Sequence, residues 1–556
     1  MKTPLPLFLL FLFTAPLIWA NDIDYEISQN QSVAQIQTEL QNAINNAAVN
    51  DIIMVTGTKT NADATLSLNI PSEKKMQWKA NYQSNASIGS NSLIALSGDG
   101  IFDVLDGTLI TTNGNAIDAI ATNPSFTVRV SGTGKVRTSG AGAHAITTMG
   151  NVEIKDYAEI SGATGEVIET LGFYSVVTVS GGSVMATSEN AIIARGTNAK
   201  IFVSGGTVSN AATDNYPVIM MSNEENNALN IIISGTGKVY ATIDGPTIFT
   251  YGSVEVKDHA HLFSAQRNVI LTGSSTPTNT VIKISGASKL ESTSDGYPTI
   301  YAYGNVEIED NAYVSAGNSY AIYLKSELTT ISISGASQVV STGSRPVIYL
   351  LYGNTVEIKD HAQVIAKSYP IAIYDYYDYS IVNVSGGLVF AATDDISTVI
   401  KYSILSATDI YGVILAWNKE AGNTDYEIYS ANDILKLPED ATAYWDKKGG
   451  EYGISYKNGN TTGFISLDVN VLSVTESFLS NITLYPNPTV GELRITNYES
   501  GIKSIEIIDM QGKKVSSFTS HSSPLISINI SHLPVGTYFV RITTEKGMVM
   551  RKIVKE

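Results

Sequence analysis

The chain has 556 residues, no cysteine, and 52 acidic against 35 basic side chains, a formal net charge of −17. That length holds several domains. The missing cysteine excludes disulfides, thiolate metal sites and a thiol nucleophile, and the acidity opposes phosphate backbones, so nucleic acid is not an expected partner. The charge is uneven: residues 482–556 carry nine Lys and Arg against six Asp and Glu, residues 1–20 add one lysine, and the stretch between them holds −21.

Residues 1–20 combine Lys2, an apolar run from Leu5 to Ile18 and a small residue at Ala20. This is the pattern of a secretory signal peptide, too short and too interrupted by Pro4, Pro6 and Pro16 to span a bilayer. Cleavage is expected after Ala20, and Asn21 rather than cysteine follows, so no lipoprotein anchor is predicted. Nothing later in the chain has an uncharged apolar run long enough for a transmembrane segment. Within residues 21–50, Ile36, Leu40, Ala43, Ile44 and Ala47 fall on one helical face, and a strand is expected to start at Asp51.

From Leu105 to Lys401 one short phrase recurs, mostly every 23 to 26 residues: an apolar pair, a Ser-Gly or Lys-Asp corner, and a further apolar residue. The corners fall at Gly107, Gly132, Asp156, Gly181, Gly205, Gly235, Asp258, Gly286, Asp310, Gly335, Asp360 and Gly386. A fixed period of this size signals a solenoid, whose units bury their apolar faces only against each other. Three β-branched columns run through it. The first passes from Val130 and Ile154 to Val384, the second from Val136 and Ile160 to Val389, and the third from Ile117 and Ile146 to Ile400. Three columns per period predict three short strands per coil, a parallel β-helix. With its helix ahead of the first strand, the body resembles pectate-lyase-like right-handed β-helices with adhesin-like repeats. In these a helical cap closes the open end of the core.

Alternating Asp and Gly at equivalent corners are expected to serve as left-handed turn residues. A metal role is disfavoured, since Asp258, Asp310 and Asp360 sit two coils apart, roughly 9 to 10 Å, too far to share an ion. Arg129 should neighbour Glu153, and Lys283 should lie between Glu255 and Glu307, as charge pairs of about 0.2 to 1 kcal/mol that set register. The acidic group Asp375, Asp378, Asp394 and Asp395 is expected to solvate turns. His259 and His261 would share one face of a strand as exposed polar residues. No Gly-x-Ser-x-Gly elbow, His-Glu-x-x-His helix or phosphate loop is present. No catalytic residue, metal site or cofactor is therefore predicted.

The residue after each third-column isoleucine should point outward. These positions run Asp118, Thr147, Glu169, Ile193, Met220, Phe249, Leu271, Tyr301, Tyr323, Tyr349, Tyr374 and Lys401. Tyr301, Tyr323, Tyr349 and Tyr374 form a stripe roughly 15 Å long, a candidate surface for a glycan or a surface protein. Identical stacked side chains also stabilise a solenoid face without any ligand.

The period breaks in residues 411–472, an expected irregular β module closing the helix, and residues 473–481 form a linker. Residues 482–556 then carry Tyr485-Pro486-Asn487-Pro488 with Gly491 close behind, the Asp509 to Gly512 turn, Gly536-x-Tyr538-x-Val540, and a basic end including Lys552. This tail resembles the C-terminal sorting domain of proteins exported by the type IX secretion system. The resemblance implies a small β-sandwich read by the type IX secretion machinery, with cleavage and transfer of the body to a surface glycolipid as the family's further step. The expected architecture is thus all-β: a signal peptide (1–20), a capping region (21–50), a right-handed parallel β-helix solenoid (51–410), a closing module, a linker and a C-terminal β-sandwich. Its expected location is secreted or anchored at the outer cell surface. Its expected function is adhesin-like binding, with a carbohydrate-active enzyme, a polysaccharide lyase or glycoside hydrolase, as the alternative.

Overall fold

A computed structural model describes residues 22–84, 89, 91–224, 229–274, 279–393, 396–406, 413–416, 429–430, 442–448, 451–458, 461–466, 483–485, 489, 491–496, 502–508, 514–521, 525–544 and 547–556. The expected signal peptide, the linker, Asp394 and Asp395 lie outside them. Two compact units are present, one holding the repeats and one consisting of residues 449–453 and 466–556.

The first unit is a parallel β-solenoid of about 13 turns. Each coil contributes one strand to each of three sheets, here called A, B and C after the first, second and third apolar columns. Every named isoleucine and valine column is in register. Val130 opposes Ile154 in sheet A, Val136 opposes Ile160 in sheet B, and Ile146 lies between Ile117 and Ile168 in sheet C. These residues are fully or almost fully buried in one continuous core. Apart from Ile52–Ala62 and the two-residue Ile400–Lys401, the solenoid strands are only three to six residues long, and in most of them buried residues alternate with partly exposed ones. Short β-branched strands of this kind bury one face and leave the other to solvent.

The single α-helix among the described residues, Val33–Asn46, starts at Ser32, whose Oγ accepts from the Gln35 N–H at 3.2 Å. It buries Val33, Ile36, Leu40 and Ile44 in the solenoid core. One strand was not anticipated: Asp22–Ile27 precedes the helix and pairs in parallel with Ile52–Ala62, Tyr25 opposite Val55. At the far end the parallel ladder continues past residue 410 to Val413–Ala416, in register with Leu388–Ala391. Tyr429–Ser430 then adds an antiparallel strand, and a separate three-stranded sheet spans Thr442–Lys448, Glu451–Asn458 and Thr461–Ser466.

The corners between sheets A and B are left-handed, with φ of 58° at Asp156, 62° at Asp258, 63° at Asp310 and 56° at Asp360. Asp does more than tolerate this geometry. Each carboxylate reaches back one coil to accept from a glycine N–H: Gly132 to Asp156 at 3.0 Å, Gly235 to Asp258 at 2.8 Å, Gly286 to Asp310 at 2.9 Å and Gly335 to Asp360 at 3.0 Å. Glycine is required in the intervening coils for a second reason. A Cβ on Gly286 would lie 2.6 Å from the Asp258 backbone nitrogen. At the Ser-Gly-Gly corners the left-handed residue is one later than expected, at Gly182, Gly206 and Gly387, and at the first corner one earlier, at Asp106.

In the C-terminal unit, Thr483–Tyr485, Glu492–Thr496 and Leu525–Asn529 form one antiparallel sheet, and Ile502–Ile508, Lys514–His521, Gly536–Thr544 and Gly547–Lys555 form another. Both contribute to one apolar cluster that includes Leu493, Ile495, Ile505, Ile528, Val540 and Ile553.

Candidate functional site

Sheet C brings the four predicted tyrosines together on consecutive strands, Tyr301 opposite Tyr323, Tyr323 opposite Tyr349 and Tyr349 opposite Tyr374. Their ring centroids lie 4.9, 4.9 and 5.3 Å apart with planes tilted by 9°, 4° and 21°. The rings therefore cover one another's faces. Face-to-face stacking leaves each inner ring only its edge and hydroxyl to present. The site is a comb of phenol groups. Burial pushes the hydroxyls of Tyr301, Tyr323 and Tyr349 above the ordinary tyrosine value, and neighbouring tyrosines add to the effect.

Cations flank the comb. The Lys325 ammonium lies 5.8 Å from the ring centres of both Tyr301 and Tyr303, and hydrogen bonding to their hydroxyls raises its pKa. The Arg345 guanidinium lies 5.8 Å from the Tyr320 ring centre, and Lys401 lies 4.8 Å from that of Tyr402. Around the corner toward sheet A the chain exposes Leu328 (85%), Tyr379 (72%), Tyr376 (53%) and Tyr402 (49%). Tyr352 stacks on Tyr377 at 5.2 Å. Leu328, Asp378 and Tyr402 are left-handed, with φ of 54°, 63° and 64°. Asp375 was expected to serve a turn and does so from inside the fold rather than from solvent, with the Tyr377 N–H donating to it at 3.4 Å. It is fully buried and accepts from the Ser380 N–H at 2.7 Å, holding the tyrosine-bearing loop in place.

A second constellation escaped the sequence. His144, Glu166, Glu169, Glu189 and Arg195 meet on the same face nearer the N-terminal end. Arg195 binds Glu169 at 2.6 Å and Glu166 at 3.1 Å, while His144 lies 3.4 Å from Glu166 and 3.6 Å from Glu169. Burial, then the charge and hydrogen bond of Glu166, holds the Glu189 carboxyl above its ordinary range. Register offered a signal for this group, since Glu169 lies beside both Thr147 and Ile193 in sheet C and Arg195 follows Ile193 by two residues.

Other expected contacts are partly redirected. Arg129 does bind Glu153, at 2.6 Å. Lys283 stands between Glu255 and Glu307 in register, yet its ammonium pairs with Glu309 at 2.7 Å and Glu255 pairs with Lys257. His259 occupies a turn, so it shares no strand with His261. His261 instead contacts Glu291 at 2.6 Å and the Tyr240 hydroxyl at 3.1 Å.

In the tail, Tyr538 and Val540 are buried, and the Tyr538 hydroxyl donates to the Pro534 carbonyl at 2.9 Å. A Cβ on Gly491 would meet the Ser531 Cβ at 3.1 Å, tight enough to favour glycine. Gly536 opens its strand and pairs with Lys555, Lys552 pairs with Phe539, and the Tyr485 backbone pairs with Arg494. Pro486, Asn487, Pro488, Asp509 and Gly512 lie outside the described residues.

Fold and tail together define an exported protein with a parallel β-solenoid body. Residues 483–556 match the secretion system C-terminal sorting domain family, and this segment is a type IX sorting tail. The tail implies engagement with the type IX secretion machinery and either attachment at the cell surface or release from it. No curated protein matches the chain. Among the described residues, no helix is long and apolar enough to cross a membrane.

Proposed function

We propose that the solenoid is an adhesin-like binding module, exported after removal of a signal peptide at residues 1–20 and sorted by its tail. Its contact surface for a glycan or protein ligand is the tyrosine face of sheet C. The tail's two sheets are read as the layers of a small sandwich. The observation that supports the binding role is the in-register comb Tyr301, Tyr323, Tyr349 and Tyr374, continued around the corner by exposed Tyr376, Tyr379 and Tyr402. Aromatic side chains with polar tips combine apolar contact and hydrogen bonding on one surface. The test replaces the four comb tyrosines with serine in the full chain and compares attachment to cells and to a glycan array. Loss of attachment by a folded variant is expected, and unchanged attachment removes the proposal.

A second reading, a carbohydrate-active enzyme, is favoured by one observation: Glu166, Glu169 and Glu189 cluster beside Arg195. Paired carboxyl groups with separated proton affinities are the equipment of glycosidic bond cleavage. Against it, Arg195 is already neutralised by two carboxylates. Polysaccharide degradation by the wild type that Glu189→Gln abolishes would establish the enzyme.

A further inference from the structure

The outward column of sheet C changes character along the solenoid. Asp118, Thr147 and Glu169 stand at one end, Ile193, Met220, Phe249 and Leu271 in the middle, and four tyrosines followed by Lys401 at the other. Four of the solenoid's five arginines, Arg129, Arg137, Arg195 and Arg267, are paired with carboxylates. Arg345, at the tyrosine end, sits on a ring instead. Lys325 and Lys401 likewise make no carboxylate pair among the described residues. One end of the face thus carries a surplus of acid, the other carries cations that contact tyrosines and pair with no carboxylate among the described residues, and the centre is apolar.

Such a face is complementary to itself when turned end for end. We infer that sheet C packs against sheet C of a second copy of this chain, the two solenoids antiparallel about a two-fold axis near Phe249. This rests on the tyrosine face being a contact surface and names its partner. With the columns opposed, Phe249 meets Leu271, Met220 meets Tyr301, the Tyr349 hydroxyl meets Glu169, and Lys401 meets Asp118, while Thr147 and Ile193 are buried within their own copy and take no part. A two-fold axis along the strand direction also carries Arg345 toward Glu166. Lys325 comes to the coil of Arg195, whose charge Glu166 and Glu169 already offset. An isologous contact of this kind makes each pair twice. The column spans about 50 Å at the spacing of paired strands. With flanking positions it is roughly 15 Å wide, comparable to the ~800 Å² that each partner buries in a standard interface. Opposite charges at the ends fix direction, since a parallel arrangement would set like ends together.

The experiment is light scattering of the full chain at about 50 μM, above the micromolar end of the affinities found for interfaces of this size. A dimer is expected. Phe249→Lys, which places two ammonium groups near the axis, should dissociate it, and Lys401→Glu should raise the dimer dissociation constant about tenfold or more. Adding Asp118→Lys to Lys401→Glu should restore the dimer, because both end pairs are then reversed. Circular dichroism on each variant separates dissociation from misfolding. A monomeric wild type overturns the inference, as does a dimer indifferent to folded Phe249→Lys and Lys401→Glu. A monomer that still attaches to glycan or cells through its tyrosines overturns the second copy while leaving the binding proposal standing.

Discussion

The carboxylate of Asp310 accepts a hydrogen bond from the backbone N–H of Gly286, one coil earlier, at 2.9 Å. The same relation holds at three other corners, so the alternation of Gly and Asp is a bonding pattern between neighbouring coils. Asp310→Gly keeps the left-handed φ and removes only the acceptor, and should cost about 0.5 to 1.5 kcal/mol in urea denaturation. Asp310→Ala also carries the left-handed penalty of about 1 to 2 kcal/mol and should be worse. Gly286→Ala collides with the Asp258 backbone and should be the most damaging of the three.

Tyr349 stacks between Tyr323 and Tyr374. Each aromatic pair contributes about 0.5 to 1.5 kcal/mol beyond area burial, so Tyr349→Ser should destabilise the C-terminal coils by roughly 1 to 3 kcal/mol. Tyr349→Phe should cost little. Amide hydrogen exchange resolved by coil is the measurement, because solenoid stability is local. Accelerated exchange confined to the strands around Ile348–Tyr352 is the expected pattern.

The comb should also titrate late. Burial raises the hydroxyls of Tyr323 and Tyr349 above their ordinary value of 10.0. A raised folded-state pKa contributes stability fully present below the unfolded value and lost as pH rises through the folded one. Ultraviolet titration should show a late-ionising group of tyrosines that shrinks in the Tyr323→Phe, Tyr349→Phe double variant, and stability should fall on the alkaline side.

Two glutamates should act oppositely in acid. Burial alone would raise Glu159, but hydrogen bonds and charge from Lys135 and Arg137 outweigh it and hold its pKa below the ordinary value. Its contribution is present above the unfolded pKa and is lost as pH falls through the folded value. Glu189 is raised, so its contribution is full at low pH and is lost as pH rises. Thermal unfolding across pH should show Glu159→Gln removing part of the acid-side loss. Glu189→Gln should make the protein relatively more stable near neutrality.

Much of the solenoid was legible because each coil must place β-branched residues at the same three inward positions, and a period read along the chain becomes register in space. Val130 beside Ile154 and Tyr301 beside Tyr323 follow from that alone. What was not legible depends on side-chain direction. Residue type could not tell that the tyrosine rings would cover each other's faces, that Lys283 would reach Glu309, or that Asp375 would turn inward. The strand Asp22–Ile27 has the right alternation but stands outside the recurring phrase and ahead of a prominent amphipathic helix. The His144, Glu166, Glu169, Glu189 and Arg195 group joins residues from three coils that share no local motif.

The most direct test of the tyrosine face is ligand retention by a full-length variant in which Tyr301, Tyr323, Tyr349 and Tyr374 are all phenylalanine. This change keeps the stacking and removes the hydroxyl edge. The predicted result is unchanged thermal stability with attachment to cells or glycan reduced at least about tenfold, the loss of one to two hydrogen bonds. Full attachment by that folded variant would contradict the role of the comb as the contact surface.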